Sequence, residues 1–137
     1  MLLLSFVTTS CCKPIFRETF IIKNESSHTI QITRLRNNNI IFTITILPLS
    51  VDNPSKFYPI EICDSTVILF DGSVNAVHYS SEVKDLKVNT KALRIDDKRN
   101  INNINNYIVD EKNLACNGFD NIYTFQVTDQ DYFNAVK

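Results

Sequence analysis

Four cysteines, two histidines and the paired acids Asp96-Asp97 and Asp129/Asp131 are the side chains of this sequence considered for chemistry. Cys63 and Cys116 lie far apart in the chain, and an oxidising compartment would let them join. A bridge closing a loop of that size adds roughly 4 kcal/mol in the chain-entropy view. The alternative is one buried thiol and one exposed. No two cysteines have CxxC spacing, which argues against zinc or thioredoxin-type redox chemistry. His28 follows a turn, and His78 falls on an expected strand beside Tyr79. Neither stands in an HxH or HExxH arrangement, so ordinary structural positions are expected rather than a metal pair. A nucleophile pair of Cys63 or Cys116 with His78 is conceivable. Asp96-Asp97 and Asp129/Asp131 offer too few oxygens in one loop for calcium, and no glycosidase pair can be picked out among the acids. With 2 glycines in the chain, a phosphate-cradling glycine loop is excluded. The expectation is a non-enzymatic protein with no catalytic residue, no metal and no cofactor.

Cys11 carries the most specific signal. The chain opens MLLLSFVTTSCC. Leu2, Leu3, Leu4, Phe6 and Val7 form an apolar run, followed by small polar residues up to Ser10. That is the end of a secretory signal, an apolar stretch and then small residues at a cut. The run is far shorter than the about 20 apolar residues that span a bilayer. The pattern resembles a lipobox, in which the cysteine after small residues is diacylated and becomes the first residue of the mature protein. Thr8 stands where that box usually has Leu. No Lys or Arg precedes Cys11, so the true start is expected upstream, with residues 1–10 a truncated signal remnant. Each buried methylene of a lipid contributes about 0.8 kcal/mol, so two or three chains hold firmly. The competing reading is a cytosolic protein whose first strand is LLLSFV.

The elements that must position these residues read as strands. An apolar fraction of 44% and a charged fraction of 21% suit a globular core. A net charge of -1 excludes a basic nucleic-acid surface. The abundance of Asn is read partly as the codon bias of an AT-rich genome. Strands are expected at 19–23, 29–35 and 40–47, where Ile40, Phe42, Ile44 and Ile46 share a face. Asn24–Ser27 and Asn37–Asn39 are turns. Pro48, Pro54 and Pro59 bracket a loop. Ser65–Phe70 and Val74–Tyr79 flank Asp71-Gly72, a strong hairpin signal, because a type I′ turn needs positive φ at both central positions. Residues 81–88 read as a helix or an edge strand, 100–106 as a polar irregular stretch, 107–110 as a short strand and 122–127 as the last strand. The end reads as a short helix with Thr128 as N-cap and Asp129 and Asp131 in its first turn. The sum is a mainly β chain: an antiparallel β-sandwich of Ig or transthyretin-like type with a short C-terminal helix. Residues 11–18 would be the lipid-anchored tether and 19–137 the single domain.

The segments VILFDGSVNAVHY, Arg99-Asn100-Ile101, Asn106-Tyr107 and YTFQVTDQDYFNA, with the Ser-Cys-Cys ending of the signal, resemble small uncharacterised lipoproteins of Bacteroidetes. The resemblance covers most of the chain and implies no activity, substrate or cofactor. It implies an outer-membrane lipoprotein. Acidic residues after the lipidated cysteine tend to send such proteins to the cell surface. Lys13 stands there instead, which favours the periplasmic side. Asp64-Ser65-Thr66 matches the short O-glycosylation signal of that group and makes Ser65 a candidate acceptor. The partners expected are the membrane, through the lipid, and a protein or glycan. A structural or assembly role in an envelope complex is the alternative, and a small hydrolase is third.

Overall fold

A computed structural model describes residues 12–52, 63–80 and 91–137. Among them are nine strands, one α-helix and two single-turn 3-10 helices. The strands are β1 (Phe16–Asn24), β2 (Ile30–Arg36), β3 (Asn39–Ile46), β4 (Ser50–Asp52), β5 (Ser65–Phe70), β6 (Val74–Tyr79), β7 (Lys91–Leu93), β8 (Ile108–Asn113) and β9 (Phe119–Val127). Helix α1 (Asp129–Val136) follows β9 directly. One sheet has the order β4-β1-β9-β8, the other β3-β2-β5-β6-β7.

Alternation builds the core. Phe20 and Ile22 of β1, Ile30 and Ile32 of β2, Ile68 and Phe70 of β5, and Phe125 and Val127 of β9 form one buried cluster contributed by both sheets. Side chains two apart point the same way, so each strand buries one face. Tyr107 and Ile101 complete the cluster from the loop region between β7 and β8. Each large side chain buried there contributes about 1.5–3 kcal/mol.

The mainly β sandwich with its short C-terminal helix is as expected. Two of its pairings are not antiparallel. β1 runs parallel to β9 along its whole length, from Phe16↔Phe119 to Asn24↔Val127, and β6 runs parallel to β7. Parallel neighbours are distant in sequence, so local alternation carries no trace of them.

The β5–β6 hairpin has the expected bounds, with Asp71 at φ 46° and Gly72 at φ 71°. Asn37 and Asn38 are also left-handed and turn β2 into β3. β3 departs from its expected face in one respect. Phe42, Ile44 and Ile46 pack on the core, but Ile40 is exposed. The β2–β3 register shifts between Arg34 and Leu35, with Phe42 opposite Arg34 and Ile40 opposite Leu35. The extra residue, Ile41, moves Ile40 off the face, as a bulge does.

The stretch 12–18 is part of the fold. Residues 16–18 lie in β1, the Ile15 carbonyl accepts from the Phe119 N–H at 2.9 Å, and Cys12 is bridged to Cys116 with their Cα atoms 5.7 Å apart. Gly118 lies flat on Ile15: a Cβ there would stand 2.4 Å from the Ile15 carbonyl oxygen. Residues 1–11, the loop with Pro54 and Pro59, and the segment 81–88 lie outside the described residues, and Cys11 among them.

Candidate functional site

Helix α1 packs against β6 and β7, and beneath it is a cavity of about 270 Å³. Its apolar wall is made by Ile68, Phe70, Ala76 and Leu93. His78, Asp97, Lys98, Arg99, Asp131 and Asn134 supply the polar lining. The period of two on β5 and β6 sends Ile68, Ala76 and His78 to the same side of the sheet, and the helix covers them.

His78 is 3% exposed. Its Nδ1 accepts the Ile101 N–H at 3.0 Å. An acceptor at Nδ1 assigns the ring proton to Nε2. The Nε2–H has no hydrogen-bond partner among the described residues and keeps residual access to the cavity. Burial pushes the His78 pKa down to about 4; Asp131 opposes that shift and Arg99 adds to it. The ring is therefore neutral at pH 7, with a donor turned to the cavity.

Arg99 and Asp131 form the rim. Arg99 Nε donates to Asp131 Oδ1 at 2.9 Å, and Nη2 donates to Asp131 Oδ2 and to the Gln126 carbonyl. The fork geometry of the guanidinium suits this bidentate pairing. Asp131 also accepts from Thr128 N at 2.8 Å and Thr128 Oγ1 at 3.1 Å. One carboxylate thus caps the helix and holds the arginine. The other first-turn acid, Asp129, accepts from Ser27 N and Oγ, at 2.8 and 3.0 Å.

A run of asparagines supports this floor. Asn100, wholly buried, donates from Nδ2 to the carbonyls of Tyr79, Leu93 and Arg94, while its Oδ1 accepts from Asn102 N. Asn102 Nδ2 donates to the His78 carbonyl at 2.7 Å. Asn106 Nδ2 donates to Asp97 O and Asn100 O. These asparagines replace a sheet ladder in satisfying buried backbone groups. Compositional bias does not account for them. Their density between 100 and 106 was the one available signal of a polar hub. Arg99 and Lys98 carried none.

The other expected sites fare differently. Cys116 pairs with Cys12 and not with Cys63, which is free of any disulfide. The reason is positional. Cys63 Sγ accepts from Arg34 Nε and Nη2 at 3.2 and 3.0 Å and lies 3.3 Å from Ser80 Oγ, at the start of β5. Cys116 lies in the turn before β9, beside the entry to β1. Hence neither thiol pairs with His78, whose ring bonds Ile101. His28 places Nδ1 2.6 Å from Asp71 Oδ2 and stacks on Tyr132 with ring centroids 3.7 Å apart. The Asp71 carboxyl is held below its ordinary pKa, first by the hydrogen bond from His28. The Asp129 carboxyl is lowered chiefly by the Ser27 N–H. Ser65 begins β5, half-buried, paired with Leu35 on one side and Tyr79 on the other. Thr66 next to it is fully buried and donates to Asn102 Oδ1 at 2.8 Å.

No protein-family model matches the chain, and no match is found among curated proteins or solved structures.

Proposed function

We propose that this protein is a lipid-anchored module of a bacterial cell envelope, tethered through Cys11, that binds a protein or glycan partner and catalyses no reaction. The observation that carries this reading is the Cys12–Cys116 bridge. Disulfides persist in oxidising compartments such as the periplasm and cell surface, and this one begins one residue after the proposed acylation site. The cavity under α1, with the His78 donor open to it, supplies a binding element. The thiols do not favour a hydrolase, since Cys116 is bridged and Cys63 faces Arg34. Exposed Lys13 after the anchor favours the periplasmic side of the outer membrane.

A second reading, an assembly accessory of an envelope complex, draws on the β3–β4 connection. Leu47, Leu49 and Val51 are all exposed there, and neighbouring exposed apolar side chains mark contact surfaces.

The anchor is tested by expressing the gene with its native upstream region and labelling with palmitate. Wild type should take up label and partition into detergent; Cys11→Ser should do neither. Label retained by Cys11→Ser would overturn the assignment.

A further inference from the structure

The cavity under α1 has a definite chemical character. Its charged lining balances: Asp97 and Asp131 against Lys98 and Arg99. Asp131 is fully engaged, with Arg99 on one side and Thr128 on the other. Asp97 holds the Arg94 N–H through Oδ2 at 2.6 Å. No net charge is left to draw an ion in. The donors exceed the acceptors. The His78 ring is buried, but its Nε2–H, without a partner among the described residues, is open to the cavity, and the amide nitrogen of Asn134 is uncommitted, since its oxygen takes the Gln130 amide at 2.9 Å. A ligand acceptor would take the place of water at that donor. Beside that donor the wall is apolar: Ile68, Ala76 and Leu93. At about 270 Å³ the space lies just under the range of drug-sized pockets, so it takes one small group and not an extended chain.

We infer that this cavity binds an uncharged acetamido group, its carbonyl oxygen accepting from His78 Nε2 and its methyl lying against Ile68, Ala76 and Leu93. The amide N–H of the same group has an acceptor at the rim in Asp97. Acetamido groups occur on N-acetylated amino sugars and on acetylated amines, and the cavity's chemistry is common to both. The inference rests on the reading of the domain as a binding module and is independent of the lipid anchor.

The test is an NMR titration of the full chain in detergent at pH 7, following the His78 imidazole. The chain has 2 histidines, and His28→Gln identifies the other one. The probes are N-acetylglucosamine, N-methylacetamide, glucose and acetate. N-acetylglucosamine and N-methylacetamide should both shift the His78 signal saturably, with Kd of about 1 mM, while glucose and acetate leave it in place. N-acetylglucosamine binding more tightly than N-methylacetamide identifies a sugar as the source; the reverse order identifies an acetylated amine. His78→Leu, followed through the backbone amide of Ile101 beside it, should weaken binding at least about tenfold, the loss of one good hydrogen bond. Should that variant fail to fold, Asn134→Trp, which fills the cavity from the helix side and leaves His78 in place, should abolish the shift. No saturable shift, an equal response to glucose, or a stronger response to acetate overturns the inference. A partner captured elsewhere on the domain, with no His78 shift, would leave the binding-module reading standing and this inference refuted.

Discussion

Two buried asparagines, Asn24 and Asn100, use the same device in different places. Asn24 Nδ2 donates to the carbonyls of His28, Ile46 and Leu47, and its Oδ1 accepts from Ser26 N and Oγ. Asn100 donates to three carbonyls and accepts from the residue two further on. Each gathers chain crossings that no ladder satisfies, and each is close to one of the two histidines. The outcomes are opposite. The Asn24 hub grips His28 by its backbone alone, leaving the ring outward against Tyr132 and Asp71. The Asn100 hub holds the ring itself, because the Ile101 N–H between Asn100 and Asn102 meets His78 Nδ1. The same turn chemistry therefore leaves one imidazole in contact with a carboxylate and holds the other as a neutral donor facing the cavity. What differs is which atom of the histidine the hub engages.

The bridge should stand outside this contrast and have the largest effect. Its cysteines are 104 residues apart, and removing a cross-link over a loop that long costs about 4–5 kcal/mol in the chain-entropy model. Cys116→Ser should lower the urea midpoint equally at pH 7 and pH 5. Unequal losses would mean that the bridge is coupled to one of the histidines. Next come the hubs. Asn100→Ala and Asn24→Ala should each destabilise by about 3 kcal/mol, since each strands several buried carbonyls. Chemical denaturation measures both, and a loss under about 1 kcal/mol at either hub would break the equivalence.

The pH response separates the rings. His78 has a folded pKa of about 4 against an ordinary 6.5. Between those values the unfolded chain takes up a proton that the folded chain refuses. Stability is therefore full above pH 6.5 and falls as pH drops towards 4, by about 3 kcal/mol in all. His78→Leu should flatten that limb of the stability curve, and His28→Gln should leave it in place. The acids act elsewhere. Asp71 and Asp129 have pKa values below the ordinary 3.8, so their contribution is present above 3.8 and disappears as pH falls through their folded values. The smallest effect belongs to Asp71→Asn, an exposed pair with His28 in water. It should change the most acidic limb, and loss of the His78 limb in a His28→Gln background would show that Asp71 acts on His78.

Much of the fold was legible where the signal is local. Asp71-Gly72 between alternating runs marked β5 and β6 to the residue, because turn type and strand period are both short-range properties. Thr128 as N-cap, with Asp129 and Asp131 in the first turn, marked the start of α1 for the same reason. What could not be read depended on distant partners. β1 was expected to begin at Thr19, but its first three residues are held by β9 from the far end of the chain. Cys63 and Cys116 looked alike as thiols, and only position distinguishes the one beside Cys12 from the one facing Arg34. The candidate site was the least visible part. His78 was located on its strand, but its burial depends on α1 and on the loop carrying Asn100. Arg99 looks like any surface arginine until Asp131 is brought against it.

The parallel run of β1 against β9, bolted by Cys12–Cys116, has a mechanical consequence. Both strands start from the bridged end. A pull on the N-terminus passes through the sulfur–sulfur bond into the head of β9 as well as into β1. The two strands are then loaded together and in the same direction, so the hydrogen bonds between them bear little shear and the sandwich moves as one body. With the bridge reduced, the same pull would drag β1 along β9 and load that whole ladder.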